Sequence, residues 1–521
     1  MKYFFILVLA TLAVSGCSNQ TVKPQAAEQA TQVAPTPIIP VIDQWSSTDS
    51  FSDSELQEEN LWPRILRSFS LNTNIENARI TAQLNWYKRH QGYLDRMTDR
   101  ARRYMFYIAE QIEVRNVPGE LALLPIVESA FDPFAYSHGR ASGVWQFIPS
   151  TGRDFGLKQD WWYDGRRDIR ASTVAALKYL EALQREFKGD WLLALASYNT
   201  GAGNVRKAIR KNKRRGKPTD FWSLDLPRET KAYVPKLIAL AKLFKEPARY
   251  GVTLKPLANE PYFDVVDTGG QIDLAQLADF ADTDLEEIYK LNPGFNRWAT
   301  SPTGPHKVLV PIEKTEILEQ NLASLPPEAR LKWKLYRVKK GDSLITIAKK
   351  HHTTPEALKQ ANSIRRNLIR AGDQILIPTA SRPLKSYSHS ANSRLAKIKN
   401  TARGKRSLKT EYRVQSGDSF WDIARSHKVG VRELAKWNGM APGDTLKQGQ
   451  KLVIWTANPK GNQREVIRKL TYTVRNGDSL ARIAGKFNVR VSDIKRWNRK
   501  KTQSKYLQPG QRLTLYVDVT N

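Results

Sequence analysis

The segment Tyr336-Arg337-Val338-Lys339-Lys340-Gly341-Asp342-Ser343-Leu344 recurs from Tyr412 to Phe420 with Gly417-Asp418-Ser419 at its turn, and again from Tyr472 to Leu480 with Gly477-Asp478-Ser479. Self-similarity of this kind rules out a single continuous core for the C-terminal part and predicts a series of small units. Each copy alternates like a strand, turns at Gly-Asp and offers Asp or Ser as a cap for a following helix. In the first copy Thr354-Pro355 opens a second helix, and Gln374 to Pro378 reads as a closing strand. The unit is strand-helix-helix-strand, expected over 335–379, 411–456 and 471–518. An eroded fourth copy is expected over 260–312, where Val265, Gly269-Gly270, Leu274, Ile288, Asn292 and Val308 to Pro311 fall in the same order without the Gly-Asp-Ser turn.

These copies resemble the LysM module, a small binder of glycans containing N-acetylglucosamine. The resemblance covers nearly the whole of each of the three clear copies. For the eroded copy, glycan binding competes with a purely packing role.

With 521 residues the chain exceeds what one core holds. The region 61–250 reads as mainly helical and forms a separate domain. Tyr104, Ile108 and Ile112 recur every fourth position within a helix expected over 99–115, and a helix over 118–128 opens at Pro118. Ser172 is the expected cap of a helix burying Ala176, Tyr179, Leu180, Leu183 and Phe187, and Asp190 the expected cap of the next.

At the N-terminus Lys2 precedes an apolar run from Tyr3 to Val14, too short to span a bilayer, followed by small residues. Residues 1–16 read as a secretory signal. Leu12-Ala13-Val14-Ser15-Gly16-Cys17 resembles the bacterial lipobox, which implies acylation of Cys17, and Ser18 after it implies sorting to the periplasmic face of the outer membrane. Cys17 is the sole cysteine, which excludes internal disulfides and cysteine-based metal sites. Residues 17–60, rich in Gln, Ala, Thr, Pro and Ser, read as a flexible tether.

A net charge of +32 calls for an anionic partner. Export argues against nucleic acid, as does the presence of Tyr387 alone among aromatics in the basic run. That run, 379–410, carries nine Lys or Arg and no Asp or Glu, so 380–410 is expected to be an extended, solvated linker, with contact to anionic lipid or wall polymer as the competing role. Arg166-Arg167 and the run 211–215 either meet acidic peptide stems or are solvated basic faces. His138, His351-His352 and His427 lack metal-ligand spacing, so no metal and no cofactor are expected.

Glu128 ends an apolar run of Leu121, Leu123, Leu124, Ile126 and Val127. Cleaving a glycosidic bond requires a proton donor whose pKa is lifted toward the working pH, and an apolar surround does this by disfavouring the charged form. Asp132 is the obvious second carboxylate, but Pro133 restricts it from helical geometry, so a turn or cap role is expected.

Glu128-Ser129-Ala130-Phe131, Gly143-Val144-Trp145-Gln146, Ala196-Ser197-Tyr198-Asn199 and Glu229-Thr230-Lys231-Ala232-Tyr233-Val234 are similar in type and order to the four motifs of the soluble lytic transglycosylase family. The match spans roughly 120–240 and implies a lysozyme-like fold. It also implies cleavage of the peptidoglycan bond between N-acetylmuramic acid and N-acetylglucosamine without water, leaving 1,6-anhydro ends. Carried over by position, Glu128 would be acid and then base, and Ser129 would orient it. Gln146 and Asn199 would hold sugar substituents, while Tyr198 and Tyr233 would shape or polarise the pocket. The second motif departs from the usual Gly-Leu-Met-Gln, and Trp145 either stacks on a sugar or belongs to the core. The fold class is therefore a mainly α lysozyme-like domain followed by small α+β LysM-like modules, with peptidoglycan glycan strands and the membrane as partners. A muramidase-type hydrolase and a non-catalytic wall-binding lipoprotein are the competing functions.

Overall fold

The computed structural model describes residues 59–137, 139–403, 407–457, 467–487, 489–499, 501–502 and 507–518. The expected signal, lipidated Cys17 and all but the last two positions of the tether lie outside them.

The first part is helical, and one apolar core gathers residues from Leu61 to Leu257 together with Phe263, Leu291 and Leu309 of the eroded copy. Asn60 caps the first helix, Leu61–Arg67, by accepting from the Trp62 amide. Tyr104, Ile108 and Ile112 are all buried as their spacing predicts. The expected helix over 99–115 is two, Gln91–Ala101 and Met105–Val114, because the chain turns at 102–104 and seats Tyr104 in the core. The helix expected over 118–128 begins as a 3-10 turn, Gly119–Leu123, and becomes α-helical only in Leu124–Ser129.

Ser172 is not a cap. The helix Ile169–Glu186 starts earlier, with Asp168 accepting from the Ala171 amide at 2.7 Å, and Ser172 is buried in its first turns. A carboxylate at the positive end of a helix is the stronger cap, so Asp168 takes the role. Asp190 caps Trp191–Thr200 as expected.

Four antiparallel strand pairs follow among the described residues: Phe263–Asp267 with Lys307–Pro311, Lys332–Arg337 with Gln374–Thr379, Ser407–Arg413 with Lys451–Ala457, and Ile467–Thr473 with Arg512–Asp518. Two short helices separate the strands of each pair. In the three clear copies the same device closes the turn: Tyr336, Tyr412 and Tyr472 donate to Asp342, Asp418 and Asp478 at 2.8, 2.9 and 2.8 Å. Ser343, Ser419 and Ser479 cap the next helix.

A second device is common to all four copies. Asn362, Asn438 and Asn498 each join the end of the second helix to the closing strand through a donated and an accepted backbone bond. Asn292 does the same against Leu309 in the eroded copy. That copy has thus kept its clasp while losing its turn, and Asp273 caps its first helix, Leu274–Phe280.

The basic segment is not extended where it is described. Ser390 caps a helix, Ala391–Asn400, and Tyr387 is fully buried with its hydroxyl 2.9 Å from both Asp273 oxygens. Asp273 is buried, so its carboxylate needs donors, and Tyr387 and the Ser381 amide supply them. Charge repulsion loses to that demand. Lys397 and Lys399 fall in the helix's last turn, where the dipole favours them.

Candidate active site

Glu128 sits one residue from the end of Leu124–Ser129, and the chain leaves that helix through two left-handed residues, Ala130 at φ 51° and Phe131 at φ 55°. The reversal buries Phe131 and turns Asp132 away. Asp132 Oδ1 accepts from the Phe134 amide at 3.0 Å, the turn role the Pro133 argument predicts.

Glu128 is half-buried, with its Oε1 under the Tyr233 hydroxyl. Burial pushes its pKa up to about 7; a hydrogen bond donated by the Tyr233 hydroxyl to Oε1 and the charge of Lys236 pull against that, and the charge of Glu229 adds to it. Burial also holds the Tyr233 phenol well above its ordinary range, so it is a donor at any working pH. Tyr233 lies in the first turns of Arg228–Lys245, a helix that also carries Glu229 and Lys236.

Tyr198, on Trp191–Thr200, donates to the Trp145 carbonyl at 2.8 Å, and the charge of Glu128 adds to the burial that raises its own pKa. Ser129 does not bond Glu128. Its hydroxyl donates to the Val144 carbonyl at 3.0 Å, tying the Glu128 helix to the segment 142–147. That segment is the floor of the site. Gly143 is essential to it: its φ is +82°, and a Cβ there would lie 2.1 Å from the Arg166 carbonyl.

Gln146 also has a positive φ, and its amide NH2 donates to the Gly143 carbonyl at 2.8 Å, which leaves its oxygen as the group to offer a ligand. The Asn199 oxygen accepts from Thr230 at 2.8 Å, so that side chain presents its NH2 instead. Trp145 is core. It is fully buried and donates from Nε1 to Thr173 at 2.9 Å, which excludes stacking on a sugar.

The segments quoted from the sequence therefore converge, with Glu128 and Tyr233 in contact and Ser129 and Tyr198 both on the backbone of Val144-Trp145. Thr173 lies outside the quoted motifs and carried no signal, while Glu229 and Thr230 lie inside the fourth motif, which marked them without giving either a role. Arg166 and Arg167 are neither solvated nor open to peptide stems. Both are buried on Asp164, whose carboxyl would rise with burial but is held below its usual range by the two guanidinium groups. A cleft of about 280 Å³ is lined by Trp86, Tyr87, Tyr93, Ile126, Val127 and Lys236, and Glu128 is not among its lining residues. Among the described residues no group of three or more His, Cys, Asp or Glu is arranged to hold a metal.

Burial lifts the Glu110 and Glu120 carboxyls of the helical domain as well, but the Glu128 carboxyl alone among these three lies under Tyr233 where the quoted segments meet. A helical domain with such a site, followed by repeated glycan-module folds, fits the class of polysaccharide-cleaving enzymes that carry their own binding modules. The family model "Transglycosylase SLT domain" matches residues 106–221, "Lytic transglycosylase MltD, LysM-like domain" matches 262–327, and "LysM domain" matches 336–378, 412–455 and 472–515. The chain is 38% identical over 446 residues to the membrane-bound lytic murein transglycosylase D of Escherichia coli, covering 86% of this chain and 83% of that protein. It belongs to that family, and is a peptidoglycan lytic transglycosylase with LysM glycan-binding modules. It is also 44% identical over 136 residues to a putative tributyltin chloride resistance protein of Alteromonas sp., covering 25% of this chain and 66% of that one. A solved lytic transglycosylase Slt from Pseudomonas aeruginosa, an inactive mutant, overlays 29% of this chain and 25% of its own at 20% identity and a TM-score of 0.21.

Proposed function

We propose that Glu128 is the single acid and base of this lytic transglycosylase, acting on the bond between N-acetylmuramic acid and N-acetylglucosamine. With a pKa near 7 it carries a proton over much of the neutral range, and it delivers that proton to the leaving glycosidic oxygen as the bond to C1 breaks. The N-acetyl group of the muramic acid shields the positive charge growing at C1. Glu128, now ionised, takes the proton of the C6 hydroxyl of the same sugar while O6 bonds to C1. One C–O bond breaks and one forms, the carboxyl returns to its starting state, and no water is consumed.

Tyr233 suits this cycle because its hydroxyl donates to Oε1 and so steadies the ionised half of the cycle. Gln146 would accept from, and Asn199 donate to, the sugar substituents through the groups their intramolecular bonds leave free. Ser129 and Tyr198 act on the floor segment, through the carbonyls of Val144 and Trp145. Hydrolysis would call for a second carboxylate at a set separation, and Asp132 is engaged in its own turn instead.

The observation that carries this assignment is the half-buried Glu128 carboxyl under the Tyr233 hydroxyl. The test is Glu128→Gln on purified sacculi with mass analysis of the released muropeptides. The wild type is expected to yield ends one water lighter than hydrolysed ones, and the variant to lose about a hundred- to ten-thousand-fold in rate while still binding. Reducing ends, or unchanged turnover, would sink the assignment.

The LysM modules hold the glycan strand while the helical domain cuts it. Acylated Cys17, outside the described residues, would anchor the chain to the periplasmic face of the outer membrane, in keeping with the membrane-bound relative. Replacing Cys17 with Ala and following the protein into the soluble fraction tests this.

A further inference from the structure

Below the floor of the site, Asp164 sits between two guanidinium groups. Arg166 takes both of its oxygens, at 2.9 and 2.8 Å, and sends its remaining nitrogen up to the Arg140 and Phe147 carbonyls at 2.6 and 3.2 Å. Arg167 spends its fork differently. It reaches Asp164 at 3.0 Å and the Ser142 hydroxyl at 3.3 Å from one nitrogen, the Pro293 carbonyl at 2.8 Å from another, and the Asn296 oxygen from the third. Ser142 belongs to the floor; Pro293 and Asn296 belong to the eroded LysM-like module. The backbones are joined at the same place, with the Asp164 amide on the Gly294 carbonyl at 2.8 Å and the Asn296 amide on the Trp162 carbonyl at 2.7 Å.

We infer that Arg167 is a positioning residue that locks the floor segment 142–147 to the 292–298 loop of the LysM-like module, so that this module serves as a structural support of the active site. The inference rests on the assignment of Glu128. The chain of contacts is continuous: Arg167 holds Ser142, the floor carries the Val144 and Trp145 carbonyls, and these receive Ser129 and Tyr198, one adjoining Glu128 in sequence and the other close enough to feel its charge. Arg is required because only a planar fork can meet a carboxylate, a hydroxyl, a carbonyl and an amide oxygen at once. The module that lost its Gly-Asp-Ser turn has kept the loop that contacts the helical domain. Misplacement of reacting groups by about an ångström is enough to cost on the order of a hundredfold in rate, which gives such a support its leverage.

The test uses the full chain with Arg167→Lys, Asn296→Ala and Asn296→Asp. Asn296 lies on the supporting module, outside the residues assigned to the glycan. Turnover is measured at saturating sacculi across pH, and binding to sacculi in the same variants carrying Glu128→Gln. Arg167→Lys and Asn296→Ala are expected to lower kcat by roughly ten- to a hundredfold, with binding near that of the wild type, at an assay temperature well below the reduced melting temperature that the lost buried hydrogen bonds bring. The alkaline limb of the pH profile should move to lower pH as water reaches Glu128. Asn296→Asp keeps the oxygen that Arg167 meets and should restore most of kcat. Full activity in both disruptive variants would overturn the inference, as would losses that merely follow the unfolded fraction with the pH profile unmoved. Those outcomes are independent of the anhydro-product test, so failure here leaves the role of Glu128 standing.

Discussion

Tyr233 donates its hydroxyl to the carboxyl of Glu128 across 105 positions of sequence; the tyrosine is buried and the glutamate half-buried. The bond favours the ionised carboxyl, so it opposes the effect of burial. Tyr233→Phe removes it while keeping the ring. The pKa of Glu128 should then rise further, moving the alkaline limb of the pH–rate profile to higher pH. At the same time kcat should fall by about tenfold or more, because the ionised half of the cycle loses a donor. A profile that shifts down instead would mean that the phenol does not face the carboxylate in solution.

Glu229 supplies the opposite lever. Its exposed carboxylate raises the pKa of Glu128 by like-charge repulsion, so Glu229→Gln should lower it and move the same limb to lower pH. Added salt should weaken the effect of Glu229, since screening acts most on exposed charges. Opposite displacements in these two variants, measured on one substrate, separate electrostatics from general damage to the site.

The uplifted carboxyl also has a stability signature. A group whose folded pKa is raised from 4.5 to about 7 costs nothing below its unfolded value and destabilises the fold progressively as pH rises through the folded one. The full penalty is ~3 kcal/mol, from about 1.4 kcal/mol per unit. Glu128→Gln abolishes the titration while leaving an oxygen for Tyr233. The variant should therefore melt at a higher temperature than the wild type at pH 8 and at nearly the same temperature at pH 4, by calorimetry. Equal differences at both values would show that Glu128 is not held up by burial.

The segments of the candidate site were legible because each motif brings its own local geometry: an acid at the end of an apolar run, a proline fixing the exit, a glycine at a positive φ. The strand-helix-helix-strand units were legible because the Gly-Asp-Ser turn repeats. What the sequence hid was tertiary. Nothing local distinguishes Trp145 in the core from Trp145 on a surface; its hydrogen bond to Thr173, 28 positions on, decides it. Arg166-Arg167 reads as a basic face until Asp164 is seen between the side chains. Likewise 380–403 reads as a charged linker, because the partner that folds it, Asp273, lies more than a hundred residues earlier.

That last point changes how the modules should be separated. Removing 330–521 to test module independence would also strip Tyr387 and Ser381 from the buried Asp273 carboxylate, Thr354 from the Trp162 indole and His389 from its stack on Phe134. Each buried polar group left without its partner costs about 1–3 kcal/mol. A cut after residue 403 spares all of these contacts. Of the contacts between the helical domain and the last two modules it breaks the Arg140–Asp444 ion pair, whose arginine is well exposed and whose loss should cost under ~1 kcal/mol. A chain ending at 403 should therefore keep turnover on soluble glycan strands within a few-fold of the full protein. Its attachment to sacculi should weaken by about a hundredfold as linked sites are lost. A chain ending at 329 should melt at a lower temperature and lose the cutting step as well. Identical melting curves for the two truncations would mean that the first LysM repeat and the 380–403 segment contribute nothing to holding the helical domain.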